Sequence, residues 1–382
     1  MSNDLSLSSP ADSRVLILSM RNFDSWAGRS FLFEFEYALA DFEQVDICSP
    51  SFSPTVISRL TRKISRSSFN TIGKTFAISS TSHQFFLEKE YDLFIFVCQF
   101  PMELYYLDSI KDWRKKCRKA VCWLDEVWIK EVDSLKMQLT ALKSFDRVFM
   151  NMRSSIEKVA EIAQRPCSYL PPGIDAIKFC PYPIQAQRSI DVCSIGRRPD
   201  SVHESLLTLA EQSNFFYMYD TLKISFISSY NAHRSLYRNL IKRSRYFIAY
   251  KPKFNVESQT GGQEELNVRF FEGAAGGAVM LGMPPSCDAF DRNFDWSDVV
   301  IPLPENTNNM AEILNQLDSE PERLKKIRKD NVVNSLLRHD WVYRWEVILD
   351  SVGLPHCSGM NKRKDKLKDL AKIVSEKNIF IN

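Results

Sequence analysis

The stretch Glu264-Glu-Leu-Asn-Val-Arg-Phe-Phe-Glu-Gly-Ala-Ala-Gly-Gly-Ala-Val-Met-Leu281 passes from a predicted helix directly into a predicted strand. The helix, Asn267–Ala275, ends at Gly276 and Gly277, because glycine readily takes the left-handed conformation that closes a helix. The run Ala278–Leu281 is apolar at every position, which is typical of a strand buried on both faces of a sheet. A helix that leads into such a strand is the repeating unit of an α/β domain with a parallel sheet.

The same alternation runs through most of the chain. Short apolar runs predict strands, and amphipathic or basic runs between them predict helices. The predicted strands are Arg14–Ser19, Val45–Cys48, Tyr91–Cys98, Ala120–Leu124, Phe145–Met150, Ile190–Gly196, Phe215–Tyr219, Tyr246–Tyr250 and Ala278–Leu281. The predicted helices are Phe31–Ala40, Asp112–Lys119, Ser154–Ala163, Tyr230–Lys242, Asn267–Ala275, Met310–Asp318, Glu320–Asn334, Arg338–Leu354 and a solvated helix in Asn361–Asn382. The segment Ser51–Glu90 gives no regular pattern and is assigned as the irregular part of the first domain.

Length and proline placement divide the chain. Its 382 residues exceed one ordinary core and suit two domains. The α/β pattern is interrupted at Cys180–Gln187, where Pro181 and Pro183 block a helix. We therefore predict an N-terminal Rossmann-like domain over residues 1–180, a linker over 181–189, a second Rossmann-like domain over 190–337, and a terminal amphipathic helix with a basic tail over 338–382.

Composition is that of an ordinary globular protein, with 44% hydrophobic and 25% charged residues, which excludes disordered and collagen-like classes. The formal net charge of +3 does not indicate a nucleic-acid binder. The polar segment Met1–Ser13 does not resemble a secretory signal, and the longest apolar run, Leu93–Phe100, is far shorter than the ~20 residues of a membrane helix. Nine cysteines without a CxxC pair indicate reduced thiols and no Cys/His metal site, so we expect a cytoplasmic protein.

Two glutamates in the opening stretch are candidates for binding a nucleotide. Glu264 lies in the glycine-rich loop Thr260–Glu265, and Glu272 lies on the helix among phenylalanine, glycine and alanine. A carboxylate among such neighbours needs hydrogen bonds, which ribose hydroxyls would supply. The helix start around Asn267 and Arg269 offers unpaired N–H groups and a forked cation for a diphosphate. The alternative is a surface helix whose glutamate contacts solvent, which the small residues around Glu272 disfavour.

Basic residues follow two further predicted strands. The segment Ser194-Ile-Gly-Arg-Arg198 places Gly196, Arg197 and Arg198 just after a strand, where fixed positive charge would stabilise a departing diphosphate. Lys251 follows another strand and is a further candidate for the same role. The alternative for these cations is a solvated basic edge of the domain.

The spacing of Glu264 and Glu272 resembles the E-x7-E signature of retaining GT-B glycosyltransferases. The segment Asn267-Val-Arg-Phe-Phe-Glu-Gly-Ala-Ala-Gly276 is similar to the spore-maturation-like bacterial branch of that superfamily. Leu170-Pro-Pro-Gly-Ile-Asp175 resembles the link at the end of the N-terminal domain, and Arg338-His-Asp-Trp-Val-Tyr-Arg344 resembles a helix near the end of that branch. The resemblance spans residues 165–350.

The resemblance implies a GT-B fold, in which two Rossmann-like domains face a central cleft. It implies that the C-terminal domain binds a nucleotide sugar and that the N-terminal domain presents the acceptor. Glu272 would then accept hydrogen bonds from ribose hydroxyls, and Glu264 would contact hydroxyls of the transferred sugar. The resemblance implies that no divalent metal is required. No cofactor is implied either, because the nucleotide sugar is a substrate. The remaining residues of the predicted donor site are Gly196, Arg197, Arg198, Lys251, Asn267 and Arg269.

The chain departs from the family pattern at two places. Where many relatives carry a histidine after a strand of the N-terminal domain, this chain reads Trp123-Leu-Asp-Glu-Val-Trp128. Asp125 or Glu126 is then the candidate that orients or deprotonates the acceptor hydroxyl; the alternative is that Asp125 caps a helix. Where relatives carry a second phosphate-binding lysine, this chain has Val202 and His203.

We therefore expect a retaining, hexosyltransferase-type glycosyltransferase that acts on a glycan, lipid-linked or small-molecule acceptor in bacterial glycan or glycoconjugate synthesis. The alternative is a non-catalytic nucleotide-sugar-binding scaffold in a glycan assembly, which the missing histidine and lysine favour. The basic run Lys111–Lys119 could meet an acidic glycan or anionic lipid at the inner membrane face, but a solvated helix face explains it better. An NAD-dependent enzyme is excluded, because the first strand leads to Met20-Arg-Asn-Phe-Asp-Ser-Trp26 rather than to a G-x-G-x-x-G loop.

Overall fold

The computed structural model describes residues 13–23, 26–49, 85–184, 186–221 and 227–377. Contacts divide the chain into two units. The first unit comprises the residues up to Pro171 together with Trp345–Cys357, and the second comprises Pro172–Arg344 and the residues from Ser358 onward. The sequence-based ranges instead assign residues 172–180 to the first domain and 345–357 to a terminal segment. Most of the segment assigned as irregular, Ser51–Glu90, lies outside the described residues.

The first unit is built on a parallel sheet whose central strand, Tyr91–Cys98, is buried along almost its whole length. It pairs with Val15–Leu18 on one side and with Cys117–Leu124 on the other, as expected for continuous apolar runs covered on both faces. The strand order is Val45–Cys48, Val15–Leu18, Tyr91–Cys98, Cys117–Leu124, Arg147–Met150 and Cys167–Tyr169. A separate parallel pair joins Phe85–Phe86 to Ile110–Lys111.

Helices of the first unit are mostly short. The α-helices are Ser30–Ala40, Lys136–Leu139 and Ile156–Ala163. The 3-10 helices are Ala27–Arg29, Pro101–Ser109, Trp113–Lys116, Ile129–Glu131, Thr140–Ser144 and Arg153–Ser155.

The prediction of a basic helix over Asp112–Lys119 is wrong. Asp112 has a left-handed backbone (φ 54), a short 3-10 turn follows it, and a strand begins at Cys117. Register explains the difference, because Cys117 lies opposite Tyr91 and Lys119 opposite Leu93 in the parallel ladder. Tertiary strand pairing overrides the local helical pattern.

The second unit has a sheet of five parallel strands, in the order Tyr217–Tyr219, Ile190–Ser194, Ser244–Ile248, Val279–Gly282 and Val300–Pro302. One face packs into a core that includes Val192, Tyr246, Leu281 and Leu314. The α-helices are Ala176–Phe179, Asp200–Gln212, Tyr230–Lys242, Glu257–Thr260, Val268–Ala275, Asp288–Asn293, Met310–Asp318, Pro321–Arg338, Ser358–Glu376 and Trp341–Val352, of which the last ends in the first unit. The predicted linker, 181–189, contains no helix or strand among its described residues.

The opening stretch folds as its pattern predicts, with helix Val268–Ala275 leading into strand Val279–Gly282. Gly273 is required by close packing, because a Cβ there would lie 2.6 Å from the sulfur of Met280. The helix therefore lies tightly against its own following strand, which fixes the position of the helix start at the other end.

A buried cluster of charged residues joins helix Ser358–Glu376 to the two segments of the second unit that resemble the family pattern. Arg363 on Ser358–Glu376 donates to Asp340 at 2.7 Å and to Asp175 at 2.9 Å. Asp340 also accepts from the N–H of Ala176 at 3.0 Å, and Ile174 forms a parallel bridge with Asp340. The two segments that resemble distant parts of the family pattern are thus adjacent in the fold.

Within the described ranges, the structure contains no helix with the length and hydropathy needed to cross a membrane.

Candidate functional site

Loops that follow parallel strands meet at one edge of the sheet, and this edge is where α/β proteins bind ligands. In the second unit, the loop after Ile190–Ser194 contains Gly196 in a left-handed conformation (φ +84). Its N–H donates to Oδ1 of Asp220 at 2.9 Å. The positive backbone angle favours glycine at this position, and Nη2 of Arg269 lies 2.5 Å from where a Cβ would be.

The start of helix Val268–Ala275 is held at the same edge by Asn267. Its side-chain oxygen accepts from the N–H of Arg269 at 3.1 Å, and its Nδ2 donates to the carbonyl oxygen of Tyr250 at 3.2 Å. Asn267 is therefore the N-cap of the helix. Nη1 of Arg269 donates to the carbonyl oxygen of Arg197 at 3.0 Å, which joins the helix start to the glycine loop.

The arginines at this edge differ in their partners. Arg198 donates to Oδ1 of Asp220 at 2.6 Å and to the carbonyl oxygen of Asp220 at 2.5 Å. Arg197 donates to Oδ1 of Asn255 at 3.2 Å. In the part of the chain that the structure describes, neither Arg197 nor Arg269 has a carboxylate partner. The unneutralised positive charge at this edge therefore belongs to Arg197 and Arg269, whereas Arg198 holds the loop.

Two predicted site residues, Lys251 and Glu264, form an ion pair with each other. The second oxygen of Glu264 accepts from the N–H of Ser286 at 2.5 Å. Burial opposes ionisation of Glu264, but the hydrogen bonds from Lys251 and Ser286 outweigh it and lower the pKa of the carboxyl group. Glu264 is thus held as a carboxylate, and the charge of Lys251 is neutralised.

Glu272 lies inside the second unit, 4% exposed, and pairs with Arg234, which is 3% exposed. Burial and the charge of Glu272 raise the pKa of Tyr237, which lies under the Arg234 guanidinium. Arg234 was not among the residues predicted from the sequence. It occupies the buried stripe of helix Tyr230–Lys242, with Tyr230 and Tyr237 on either side, and an arginine in such a stripe indicates a buried counter-charge.

In the first unit, Asp125 follows strand Cys117–Leu124 and is 6% exposed. Its Oδ1 accepts from Nδ2 of Asn151 at 2.9 Å. Burial, and then the charge of Glu126, raise the pKa of Asp125 to about 7, although the hydrogen bond from Asn151 opposes the shift. Glu126 accepts from Nε1 of Trp128 at 2.8 Å. The alternative that Asp125 caps a helix is wrong, because residues 125–128 precede a 3-10 helix whose N-cap is Trp128.

Asp220 and Asn151 are the polar partners that the sequence analysis missed. Each comes directly after a strand, Asp220 after Tyr217–Tyr219 and Asn151 after Arg147–Met150. A polar residue in the first position after each parallel strand is the pattern that would have identified both.

No group of three or more histidine, cysteine or acidic side chains among the described residues is arranged to hold a metal ion.

Sequence comparison identifies one family over part of the chain. Residues 219–350 match the family model described as glycosyl transferase-like. This range includes Lys251, Glu264, Asn267, Arg269 and Glu272. Among curated proteins, none is significantly similar in sequence to this chain.

The fold is similar to solved structures over most of the chain. The HepE protein of Anabaena in complex with UDP-glucose is 11% identical, with a TM-score of 0.52, over 89% of this chain and 99% of that one. The N-terminal domain of trehalose-6-phosphate phosphatase from Candida albicans is 6% identical, with a TM-score of 0.53, over 89% and 96%. An alpha-glucosyltransferase in complex with UDP and a mismatched 13-mer DNA is 11% identical, with a TM-score of 0.50, over 89% and 99%.

At identities this low the likeness shows the fold, and the activity of a neighbour does not transfer with it. The prediction of two Rossmann-like domains is confirmed by the two parallel sheets. The chain has the GT-B fold, and its residues 219–350 match the glycosyl transferase-like family model.

Proposed function

We propose that this protein transfers a sugar from a nucleotide-sugar donor to an acceptor hydroxyl, with the donor diphosphate bound at the carboxyl edge of the second unit's sheet. The observation that carries the proposal is the pair of guanidinium groups, Arg197 and Arg269, beside Gly196 and the capped helix start. A helix N-terminus beside cations suits a diphosphate, because the positive end of the helix dipole attracts the anion. The glycosyl transferase-like domain over residues 219–350 supports the same assignment.

The sugar–diphosphate bond breaks as the acceptor oxygen bonds to the sugar carbon, and negative charge grows on the departing diphosphate. Arg197 and Arg269 would stabilise that charge, because their positions are fixed before the reaction begins. Arg198 contributes indirectly, since it holds the loop through Asp220. The E-x7-E resemblance supports retention of anomeric configuration.

The two glutamates have different surroundings, and we assign them different roles. Glu264 is partly exposed, so its oxygens would accept hydroxyls of the transferred sugar while Lys251 keeps the group ionised. Glu272 would accept hydrogen bonds from ribose hydroxyls, as the resemblance implies, while it stays paired with Arg234.

In the first unit, Asp125 is suited to act as general base toward the acceptor hydroxyl. A base is most effective when its pKa lies near the working pH, and the pKa of Asp125 is raised to about 7. Glu126 supports this role, because its charge contributes to the raised pKa.

We further propose that transfer needs no divalent metal and no cofactor, and that the acceptor is a glycan, a lipid-linked sugar or a small molecule in bacterial glycan synthesis. Contact with the inner membrane face through the basic run 111–119 is part of this proposal. Some of that positive charge is paired, Arg114 with Asp146 at 3.0 Å and Lys115 with Asp112 at 2.9 Å.

The test is incubation of the purified protein with a panel of nucleotide sugars, first among them UDP-glucose, followed by measurement of nucleoside diphosphate release. We expect release that is stimulated by an acceptor and unchanged by a chelator such as EDTA. NMR of the anomeric proton in the product tests retention. Tight binding of a nucleotide sugar without any release would favour the non-catalytic scaffold instead.

A further inference from the structure

A pocket of about 400 Å³ lies in the second unit, at the same edge of the sheet as the glycine loop. It is lined by residues from the loops that follow the strands Ile190–Ser194, Ser244–Ile248 and Val300–Pro302, and by the first two residues of helix Asp200–Gln212. Its volume falls within the ~300–1,000 Å³ that small-molecule sites usually occupy. No residue assigned above to the diphosphate, apart from the loop-holding Arg198, lines this pocket.

The lining combines one aromatic ring with several amides. Phe254 is half-buried, with its ring centroid 5.1 Å from that of Tyr250. Asn255, Asn306 and Asn308 line the pocket with it. The side chains of Asn306 and Asn308 have no hydrogen-bond partner in the part of the chain that the structure describes. An amide both donates and accepts, as a hydroxyl does, and an aromatic face packs against the C–H face of a sugar ring.

The charge of the lining disfavours an anionic ligand. Asp200 and Glu305 contribute two carboxylates. Arg198 contributes a positive charge to the lining, and this charge is already paired with Asp220. A phosphate group would therefore be repelled here, whereas an uncharged ligand with many hydroxyls would not.

The wall of the pocket is formed in advance of any ligand. Ser201 donates its hydroxyl to the carbonyl oxygen of Glu305, and Ser205 donates to the carbonyl oxygen of Asn308 at 3.1 Å. The N–H of Met310 donates to the Ser205 hydroxyl at 3.1 Å. Helix Asp200–Gln212 thus holds the loop that presents the two asparagines.

We propose that this pocket binds a neutral, hydroxyl-rich sugar ring. It adjoins the diphosphate residues, because Arg197 donates to Oδ1 of Asn255 at 3.2 Å. Glu264, which we assign to the transferred sugar, does not line the pocket, so the sugar bound here is one that belongs to the acceptor. Its part in sugar transfer rests on the proposed function, whereas the binding of a free sugar does not.

The experiment titrates the full-length protein with glucose, galactose and N-acetylglucosamine by saturation-transfer NMR, and with UDP and UDP-glucose by calorimetry. The test variant is Asn306→Ala/Asn308→Ala, in which both replaced side chains are exposed, so the fold should be unaffected. We expect sugar affinity to fall about tenfold or more, because two hydrogen-bonding amides are lost. Phe254→Leu keeps apolar packing while removing the ring, and should lower the same affinity. Asn309→Ala is the matched control, since Asn309 is exposed beside the pocket and bonds to Glu312.

A loss of affinity for free sugars alone supports an acceptor sugar in the pocket. A loss for UDP-glucose relative to UDP would show that the pocket holds the transferred sugar instead, and would overturn the assignment. Unchanged sugar affinity in the double variant, no sugar binding by the wild type, or an equal loss of UDP affinity overturns the proposal. A wild-type protein that binds free sugars but neither UDP nor UDP-glucose would count against the proposed function and leave the sugar pocket standing.

Discussion

The carboxyl edges of the two sheets share a topology but differ in charge. In the first unit the edge carries buried acids: Asp125 is 6% exposed, and its pKa is raised to about 7. In the second unit the edge carries exposed or half-exposed cations, Arg197 and Arg269, without carboxylate partners among the described residues. The same architectural position therefore supplies a proton acceptor in one unit and an anion site in the other. The side chains that follow each strand, rather than the sheet, decide the chemistry.

The largest expected effect is a loss of stability when the buried pair of Glu272 and Arg234 in the second unit is broken. Glu272→Gln removes the counter-charge of Arg234, and breaking a buried ion pair costs about 3–5 kcal/mol of the free energy of unfolding. Urea denaturation at pH 7 measures this loss. The control is Glu322→Gln, whose side chain is 86% exposed, with an expected change of about 0.5 kcal/mol or less. If the two variants lose equally little, the pair with Arg234 does not stabilise the fold, and the distinction between buried and available charge in this unit fails.

The next prediction concerns Arg197 and Arg269, the cations without a carboxylate partner among the described residues. In Arg197→Ala/Arg269→Ala we expect kcat to fall roughly 100- to 1,000-fold, because these groups stabilise charge that develops on the leaving diphosphate. Steady-state kinetics of diphosphate release measures it. Arg292→Ala, at an arginine paired with Asp288 and 68% exposed, should retain the wild-type rate. A raised KM with unchanged kcat would contradict a role in the transition state.

Asp125→Asn should reduce transfer about 100-fold while donor binding survives, because the proton acceptor is lost. In the wild type, activity should rise with pH through about 7, as Asp125 loses its proton. The folded-state pKa is raised, so stability should decline as pH rises from the ordinary value of 3.8 toward 7, and Asp125→Asn should remove that decline.

Thermal unfolding across this pH range measures the stability change. Asp133→Asn is the control, because Asp133 is 76% exposed and paired with Lys158. Full activity in Asp125→Asn would move the search for a base to the donor's own phosphate.

The smallest effect concerns Asn151, which we assign as a positioning residue for Asp125. Its hydrogen bond lowers the pKa of Asp125, so Asn151→Ala should raise that pKa further. We expect the acidic limb of kcat/KM to move to higher pH, with a few-fold loss at pH 7 and recovery in alkaline buffer. A loss of equal size at every pH would instead indicate a purely structural role.

Sequence patterns predicted the elements better than the pairings between side chains. The helix and strand of the opening stretch were identified, because each depends on a local pattern. Asn267 and Gly196 were named as donor-binding candidates, and the structure adds that Asn267 caps the helix and that Gly196 has a left-handed backbone. The glycosyltransferase prediction is confirmed at the level of the family domain over residues 219–350. The individual roles of the predicted site residues stay predictions.

The sequence patterns did not predict which side chains pair with each other across the fold. Arg198 was expected to face a diphosphate, and it pairs with Asp220; Glu272 was expected to face ribose, and it pairs with Arg234. These partners lie on other elements, and only the packed sheet brings them together. The wrong prediction of a helix over Asp112–Lys119 has the same cause, because pairing with strand Tyr91–Cys98 holds residues 117–119 in a strand.

The cluster of Arg363 with Asp175 and Asp340 has a consequence for protein turnover. Arg363 stands on helix Ser358–Glu376 and lies 188 residues after Asp175 in the sequence, so it is synthesised after both carboxylates. A chain that stopped before it would hold two carboxylates, 1% and 0% exposed, without the guanidinium that links them. Such a chain would unfold readily and be open to cellular proteases. Copies that contain helix Ser358–Glu376 are thus expected to survive turnover better than copies truncated before it.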